Sequence, residues 1–294
     1  MLPFPDGAPM KSNPECMLCC FRQALNTARL ITEDTEIQRR VLAGVADYVR
    51  GASLDQTPAA LSQPVYDIAR AVTGAADLYE RQKREGNRRA LDILPRVEAL
   101  VAGAADPLAA AVQAAAAGNV IDLGIGQPFD IERDVLAAMR QPLALNAVGE
   151  FRAELRPGRR LLYLGDNAGE IVFDTLLVRE ILKTGARVTF AVKSGPIIND
   201  ALLRDAEEVG LTRLTRVIET GAADIGINWA NVSPAFRAAV AEADAILGKG
   251  HGNFETCAGY PANFYFLLKA KCVIVAAELG VPLGAVVFKH QPRA

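Results

Sequence analysis

Residues 159–180 read RRLLYLGDNAGEIVFDTLLVRE. Leu161, Leu162, Tyr163 and Leu164 are apolar on both faces of an extended chain, the pattern of a strand buried inside a parallel sheet. Gly165-Asp166-Asn167-Ala168-Gly169-Glu170 then supplies a polar turn. Ile171, Val172, Leu176, Leu177, Ile181 and Leu182 recur at the spacing of an amphipathic helix. The stretch predicts strand, loop, helix. In open parallel α/β sheets ligands bind beyond the carboxyl ends of the strands, so a loop here holding two acids and an amide is a binding-site candidate. Asp and Asn are also ordinary turn formers and helix caps, and the loop alone does not choose between the two readings.

The pattern repeats downstream. Residues 187–192 form a second buried strand that ends at Lys193-Ser194-Gly195-Pro196, with Asn199-Asp200 expected to open the next helix. A third strand over 214–218 ends at Glu219-Thr220-Gly221. A fourth over 244–247 runs into Gly248-Lys249-Gly250-His251-Gly252-Asn253-Phe254-Glu255. A helix over 262–279 and a last strand near 285–288 complete the series. This alternation implies parallel strands, right-handed crossovers and helices on both faces.

Before residue 141 the chain reads as helices. Asn13-Pro14, Thr57-Pro58 and Asp106-Pro107 are cap-plus-proline starts. Thr32, ahead of Glu33 and Asp34, is expected to cap a helix carrying Ile37, Val41, Val45 and Val49. The charged stretch 77–100 reads as a helix with a solvated face. Residues 108–117 form an alanine-rich helix stopped by Gly118, after which Asn119 and Asp122 stand among apolar neighbours. Asp122 there either caps the next element or faces a ligand. Asp130 is expected to cap a helix through Ala138. The expected organisation is therefore a helical domain over 1–145 and an α/β/α sandwich with a mostly parallel sheet over 146–294.

Composition bounds the function. The 294 residues are 51% hydrophobic and 22% charged, with a formal net charge of −2, so a large core is available and no basic stripe supports nucleic-acid binding. The longest uncharged runs fall short of the ~18 apolar residues of a membrane span, and the N-terminus lacks a signal-peptide pattern. A cytoplasmic protein with no membrane partner is expected. Five cysteines, Cys16, Cys19, Cys20, Cys257 and Cys272, do not suggest structural disulfides in that setting. Cys16-x-x-Cys19 lies near a helix start and is compatible with redox chemistry or half a zinc site, but buried thiols fit it as well.

The polar residues cluster after the strands: Asp166 and Asn167, Lys193 with Asp200, and Lys249 with Asn253. Two carboxylates and an amide oxygen suit a hard divalent cation, with lysines and glycine backbone beside it for phosphate oxygens. A dinucleotide site is disfavoured, because the turn is not G-x-G-x-x-G and carries an acid where a pyrophosphate would sit. His251 is readable as an acid or base, or as an incidental surface histidine among glycines.

The segments LGDNAGEIVFD, VKSGPIINDA, ILGKGHGNFET and FLLKAKCVIVAAELGV, with AGNVID and C-x-x-C upstream, resemble the domain-of-unknown-function 89 family, the metal-dependent damage-control phosphatases, in its C-x-x-C-containing prokaryotic branch. The resemblance implies a helical domain packed on a Rossmann-like domain and a divalent metal (Mn, Co, Ni or Mg) held by Asp166, Asn167 and Asp200. It implies contacts to a small phosphorylated metabolite from Asn119, Asp122, Glu170, Lys249, Gly250, His251, Gly252, Asn253 and Lys269; catalysis is expected from the three metal-site residues with Lys249, and Lys193, just after its strand, is a further expected substrate contact. Lys271 is an alternative to Lys269, and Phe254 or Tyr260 is a candidate aromatic wall. Two rival functions stay open: an S-adenosylmethionine-dependent carboxyl methyltransferase, and a non-catalytic metabolite-binding protein.

Overall fold

The structure, a computed structural model, describes residues 10–118 and 131–293. Asn119, Asp122 and the expected cap Asp130 lie outside the described residues. Three helices come first: α1 (Pro14–Ile31), α2 (Thr35–Gly51) and α3 (Pro58–Thr73). Asn13 caps α1, its side chain accepting from the Glu15 N–H at 3.1 Å, and Thr57 caps α3. The cap of α2 is Asp34, not Thr32. Asp34 Oδ1 accepts from the Glu36 N–H at 2.8 Å, whereas the Thr32 hydroxyl accepts from Asp34 N–H, two residues too early to cap the helix. Cys20, Ala24, Val41, Val45, Leu61 and Val65 bury a common apolar cluster among the three helices.

Next come α4 (Glu80–Ala102), α5 (Pro107–Ala117, capped by Asp106) and α6 (Ile131–Ala138). The α/β part then follows as β1 (Leu143–Asn146), α7 (Val148–Glu154), β2 (Arg160–Leu164), α8 (Glu170–Lys183) and β3 (Arg187–Val192). It continues through α9 (Leu203–Glu208), α10 (Leu211–Leu214), β4 (Arg216–Glu219), α11 (Pro234–Glu242), β5 (Ala245–Lys249) and α12 (Gly250–Cys257). It closes with β6 (Phe264–Lys269), α13 (Val273–Leu279) and β7 (Val286–Gln291). The expected division at 145/146 passes through β1. α4 and α5 share one apolar cluster with the sheet and α8, apart from the cluster of the first three helices.

The seven strands form one sheet in the order β1-β7-β6-β5-β2-β3-β4. β6, β5, β2, β3 and β4 run parallel; β7 is antiparallel to β6, and β1 runs with β7. Period-two alternation sends Leu161 and Tyr163 of β2 to the side of α5 and α8, and Leu162 and Leu164 to the side of α11, α12 and α13. Both faces are thus covered, which is why β2 has no polar register.

Two local expectations are corrected, and one strand was not expected. Residues 262–279 are not one helix. FYFLLK is β6, buried on both faces, and a run of that length cannot be told from a buried helical segment by periodicity. The break comes at Ala270-Lys271, after which Cys272 caps α13. β1 went unforeseen because four residues with alternating burial carry little pattern. Asn199-Asp200 do not open a helix; they sit in a turn, and α9 starts at Leu203, where Asp205 Oδ2 accepts from the Leu202 N–H at 2.9 Å. Among the described residues no helix is long and apolar enough to cross a membrane.

Candidate active site

The chain runs β2 to β3 to β4 toward one edge of the sheet, then returns across β2 and runs β5 to β6 toward the other. The loops after β2 and β5 therefore part at a topological switch point, where open α/β sheets bind their ligands. The two loops touch there. Gly250 has φ +78°, and a Cβ built on it would stand 1.9 Å from Asp166 Oδ2. A glycine is required on both counts, the left-handed backbone and the absence of room.

The loop after β3 is stapled to the loop after β2. Ala168 N–H donates to Asn199 O at 2.9 Å and Ala201 N–H to Asp166 O at 2.8 Å, on either side of a bridge pairing Asn167 with Asp200. Asp200 thereby arrives beside Asp166 and Asn167, more than thirty residues away in sequence. Asn167 Nδ2 donates to Glu170 Oε1 at 2.8 Å and lies 3.4 Å from Asp166 Oδ2, so the atom it offers a cation is Oδ1. Burial, then Glu170 and Asp200, push the Asp166 carboxyl well above the ordinary carboxylate range; Lys271 and Lys249 pull the other way. Crowded, desolvated oxygens of like charge are what a divalent cation would relieve. Among the described residues no group of three His, Cys, Asp or Glu is placed to hold a metal by itself. The set present is mixed, Asp166 and Asp200 with the amide of Asn167, and its all-oxygen chemistry fits a hard cation.

The lysines divide by role. Lys249, fully buried, points its Nζ at Asp174 Oδ1 (2.7 Å) and Ala115 O (2.9 Å), with Glu170 Oε2 at 3.7 Å. Burial pulls its pKa down, but Asp174 and Glu170 more than offset that and hold it as an ammonium. Tyr163 O–H donates to the same Asp174 oxygen at 2.7 Å. Lys249 thus stands behind Glu170. Lys193, also buried, donates to Gly226 O and lies 3.7 Å from Asp200 Oδ2. Lys271, not Lys269, lines the cavity in front of the acids.

That cavity, about 540 Å³, lies between the carboxyl edge of the sheet and the first helices. Asp166, Asn167, Asp200, His251, Gly252, Asn253 and Glu255 meet Cys16, Cys19, Arg22, Gln23 and Ser62 across it. His251 is half-buried, with Nε2 2.8 Å from Lys269 O and 2.9 Å from Lys271 N. Burial and Lys271 push its pKa down to about 4, so the ring is neutral at pH 7. Burial pushes the Glu255 carboxyl up to about 8. Asn253 Nδ2 braces Gly165 O (3.1 Å) and Lys249 O (2.8 Å), leaving Oδ1 buried without a partner among the described residues. Cys16 and Cys19 are free thiols whose pKa values burial raises. Neither candidate for an aromatic wall lines the cavity: Phe254 is buried under the sheet and Tyr260 stacks on Trp229 at 3.9 Å.

Sequence reading missed Asp174, Glu255, Arg22, Gln23 and Asn87. Asp174 follows Glu170 by one helical turn, a spacing that places two acids on one face. The others carried no pattern beyond a polar residue within a helix.

Comparison with known proteins gives the family and the fold. Residues 12–287 match the family model described as the damage-control phosphatase ARMT1-like domain. A damage-control phosphatase of Pyrococcus horikoshii is 35% identical over 285 residues, covering 95% of this chain and 97% of that protein. One from Archaeoglobus fulgidus is 32% identical, covering 95% and 99%. The crystal structure of a DUF89 family protein from Pyrococcus horikoshii superposes with a TM-score of 0.88 at 33% identity, covering 96% of this chain and 99% of that one.

Proposed function

The chain belongs to the damage-control phosphatase ARMT1-like family, and on that premise we propose that it is a metal-dependent phosphatase acting on a small phosphorylated metabolite. The observation that carries the proposal is the meeting of Asp166, Asn167 and Asp200 at the switch point, beneath a cavity with Lys271 on its wall. Asp166, Asn167 and Asp200 would hold Mn, Co, Ni or Mg through oxygen. Such a cation, when bound, supplies charge neutralisation for phosphoryl oxygens and lowers the pKa of water.

The chain's own residues do the rest. Lys271 places a positive charge where a phosphate would enter, and Gly250 lets backbone approach Asp166 with no side chain between. Lys249 and Lys193 fix Glu170 and Asp200 from behind rather than meeting substrate directly. Asn119 and Asp122 remain proposed contacts from the helical side.

The test is hydrolysis of p-nitrophenyl phosphate by metal-stripped protein, with Mg²⁺, Mn²⁺, Co²⁺ and Ni²⁺ restored singly and Asp166→Ala as control. Metal-restored turnover that vanishes in the variant is expected. Full activity in Asp166→Ala, or none with any metal, would overturn the proposal and reopen the methyltransferase and binding-protein readings.

A further inference from the structure

Asn87 stands in the middle of α4, in the helical half, and is completely buried. A buried amide in a helix interior needs partners, since Asn otherwise favours caps and turns. Its two functional atoms go to the two segments that build the site. Oδ1 accepts from the Gly169 N–H at 2.7 Å, in the loop that carries Asp166 and Asn167. Nδ2 donates to Asp205 Oδ1 at 3.0 Å and Glu208 Oε2 at 2.7 Å, on α9, which follows Asp200. Asp205 in turn accepts from the Leu202 N–H, two residues beyond Asp200. One turn of α4 is therefore tied to both loops.

We infer that Asn87 is the positioning residue through which the helical half sets the spacing between Asp166–Asn167 and Asp200, and so the affinity of the site for its cation. An amide suits the task because it carries an acceptor and a donor on one rigid plane, facing an N–H on one side and carboxylates on the other. Gly169 adds a reason for precision. It has φ +83° and is the N-cap of α8, so the direction of its N–H decides how the loop enters the helix. Outer partners that orient ligating side chains typically change metal affinity or activity 10–100-fold when removed.

The inference rests on the metal-site reading, and its test uses Mn²⁺ binding by calorimetry beside turnover of p-nitrophenyl phosphate. Asn87→Ala is expected to weaken Mn²⁺ binding by about 10–100-fold and to lower kcat at saturating Mn²⁺. Arg204→Ala removes the Arg204–Asp77 pair of 2.8 Å in the same inter-half contact without touching the loops, and should leave Mn²⁺ affinity unchanged. Asn87→Asp keeps the acceptor for Gly169 but sets charge against charge at Asp205 and Glu208. It should lose at least tenfold in affinity, and adding Glu208→Gln, which returns a donor to that oxygen, should regain most of it.

Folded Asn87→Ala with Mn²⁺ affinity and kcat within threefold of wild type overturns the inference. If Asn87→Ala does not fold, failure of the Asp/Gln pair to recover affinity overturns it instead. Wild type that binds Mn²⁺ but hydrolyses nothing sinks the phosphatase reading while leaving the affinity comparison decisive for Asn87.

Discussion

Replacing Gly250 by alanine should disable the site while leaving the fold standing. The added Cβ would lie 1.9 Å from Asp166 Oδ2 and 2.3 Å from Cγ, against an ordinary C···O contact of about 3.3 Å. The Asp166 carboxylate must therefore retreat by about 1.4 Å, or the β5–α12 loop must move away by as much. A misplacement of about 1 Å can cost on the order of 10²-fold in rate, and the same displacement separates Asp166 from Asn167 and Asp200. A left-handed backbone at a residue with a Cβ adds about 1–2 kcal/mol. Gly280→Ala isolates that second effect, since Gly280 has φ +66° with no atom near its would-be Cβ. Gly280→Ala should lose only that backbone cost in urea titrations and Gly250→Ala somewhat more, and Gly250→Ala alone should lose at least 10²-fold in kcat/KM for p-nitrophenyl phosphate and most of its Mn²⁺ affinity. Activity of Gly250→Ala within threefold of wild type would refute the claim that the two loops touch at Asp166.

Lys249→Met should destabilise by about 3–5 kcal/mol in urea titrations, because Asp174 and Glu170 are left buried without their cation; a loss under 1 kcal/mol would contradict the pairing. Glu255→Gln should flatten the pH dependence of stability. The native carboxyl, raised from 4.5 to about 8, binds more protons than the unfolded one between those values, so wild type loses up to about 5 kcal/mol as pH climbs through that window. Equal slopes for wild type and variant between pH 5 and pH 8 would be the contrary result. Lys271→Ala should raise KM for p-nitrophenyl phosphate about tenfold with little change in Tm, since an exposed cation on the cavity wall contributes to anion binding and not to packing. A lower Tm at unchanged KM would assign it a structural part instead.

Much of the architecture was legible because it rests on local chemistry. The unbroken apolar register of β2 reports burial on both faces, and Asn13-Pro14, Thr57-Pro58 and Asp106-Pro107 report helix starts through side chains that reach only two or three residues. The turn 165–170 was readable for the same reason. β6 was not, since six apolar residues fit a buried helix as well as a buried strand, and only its pairing between β5 and β7 decides. Asn87 was illegible in principle: its partners lie 82, 118 and 121 residues away, and nothing near it in sequence distinguishes a buried amide from one on a solvated helix face.

Lys249 shows where a sharper reading was within reach. Grouped with the glycines that follow it, it reads as a loop lysine free to meet phosphate. The strand, however, runs through Lys249, and period two then places its side chain on the same face as Leu247, toward α5 and α8 and away from the cavity. Two residues of strand length separate a substrate contact from a buried counter-ion to Asp174. The next lysine with an open path to the acids is Lys271, which becomes a loop residue only because β6 ends at Lys269. Both placements thus follow from strand boundaries rather than from the lysines themselves, and which lysine faces the cavity, and so is proposed to meet a phosphate, is set by where β5 and β6 stop.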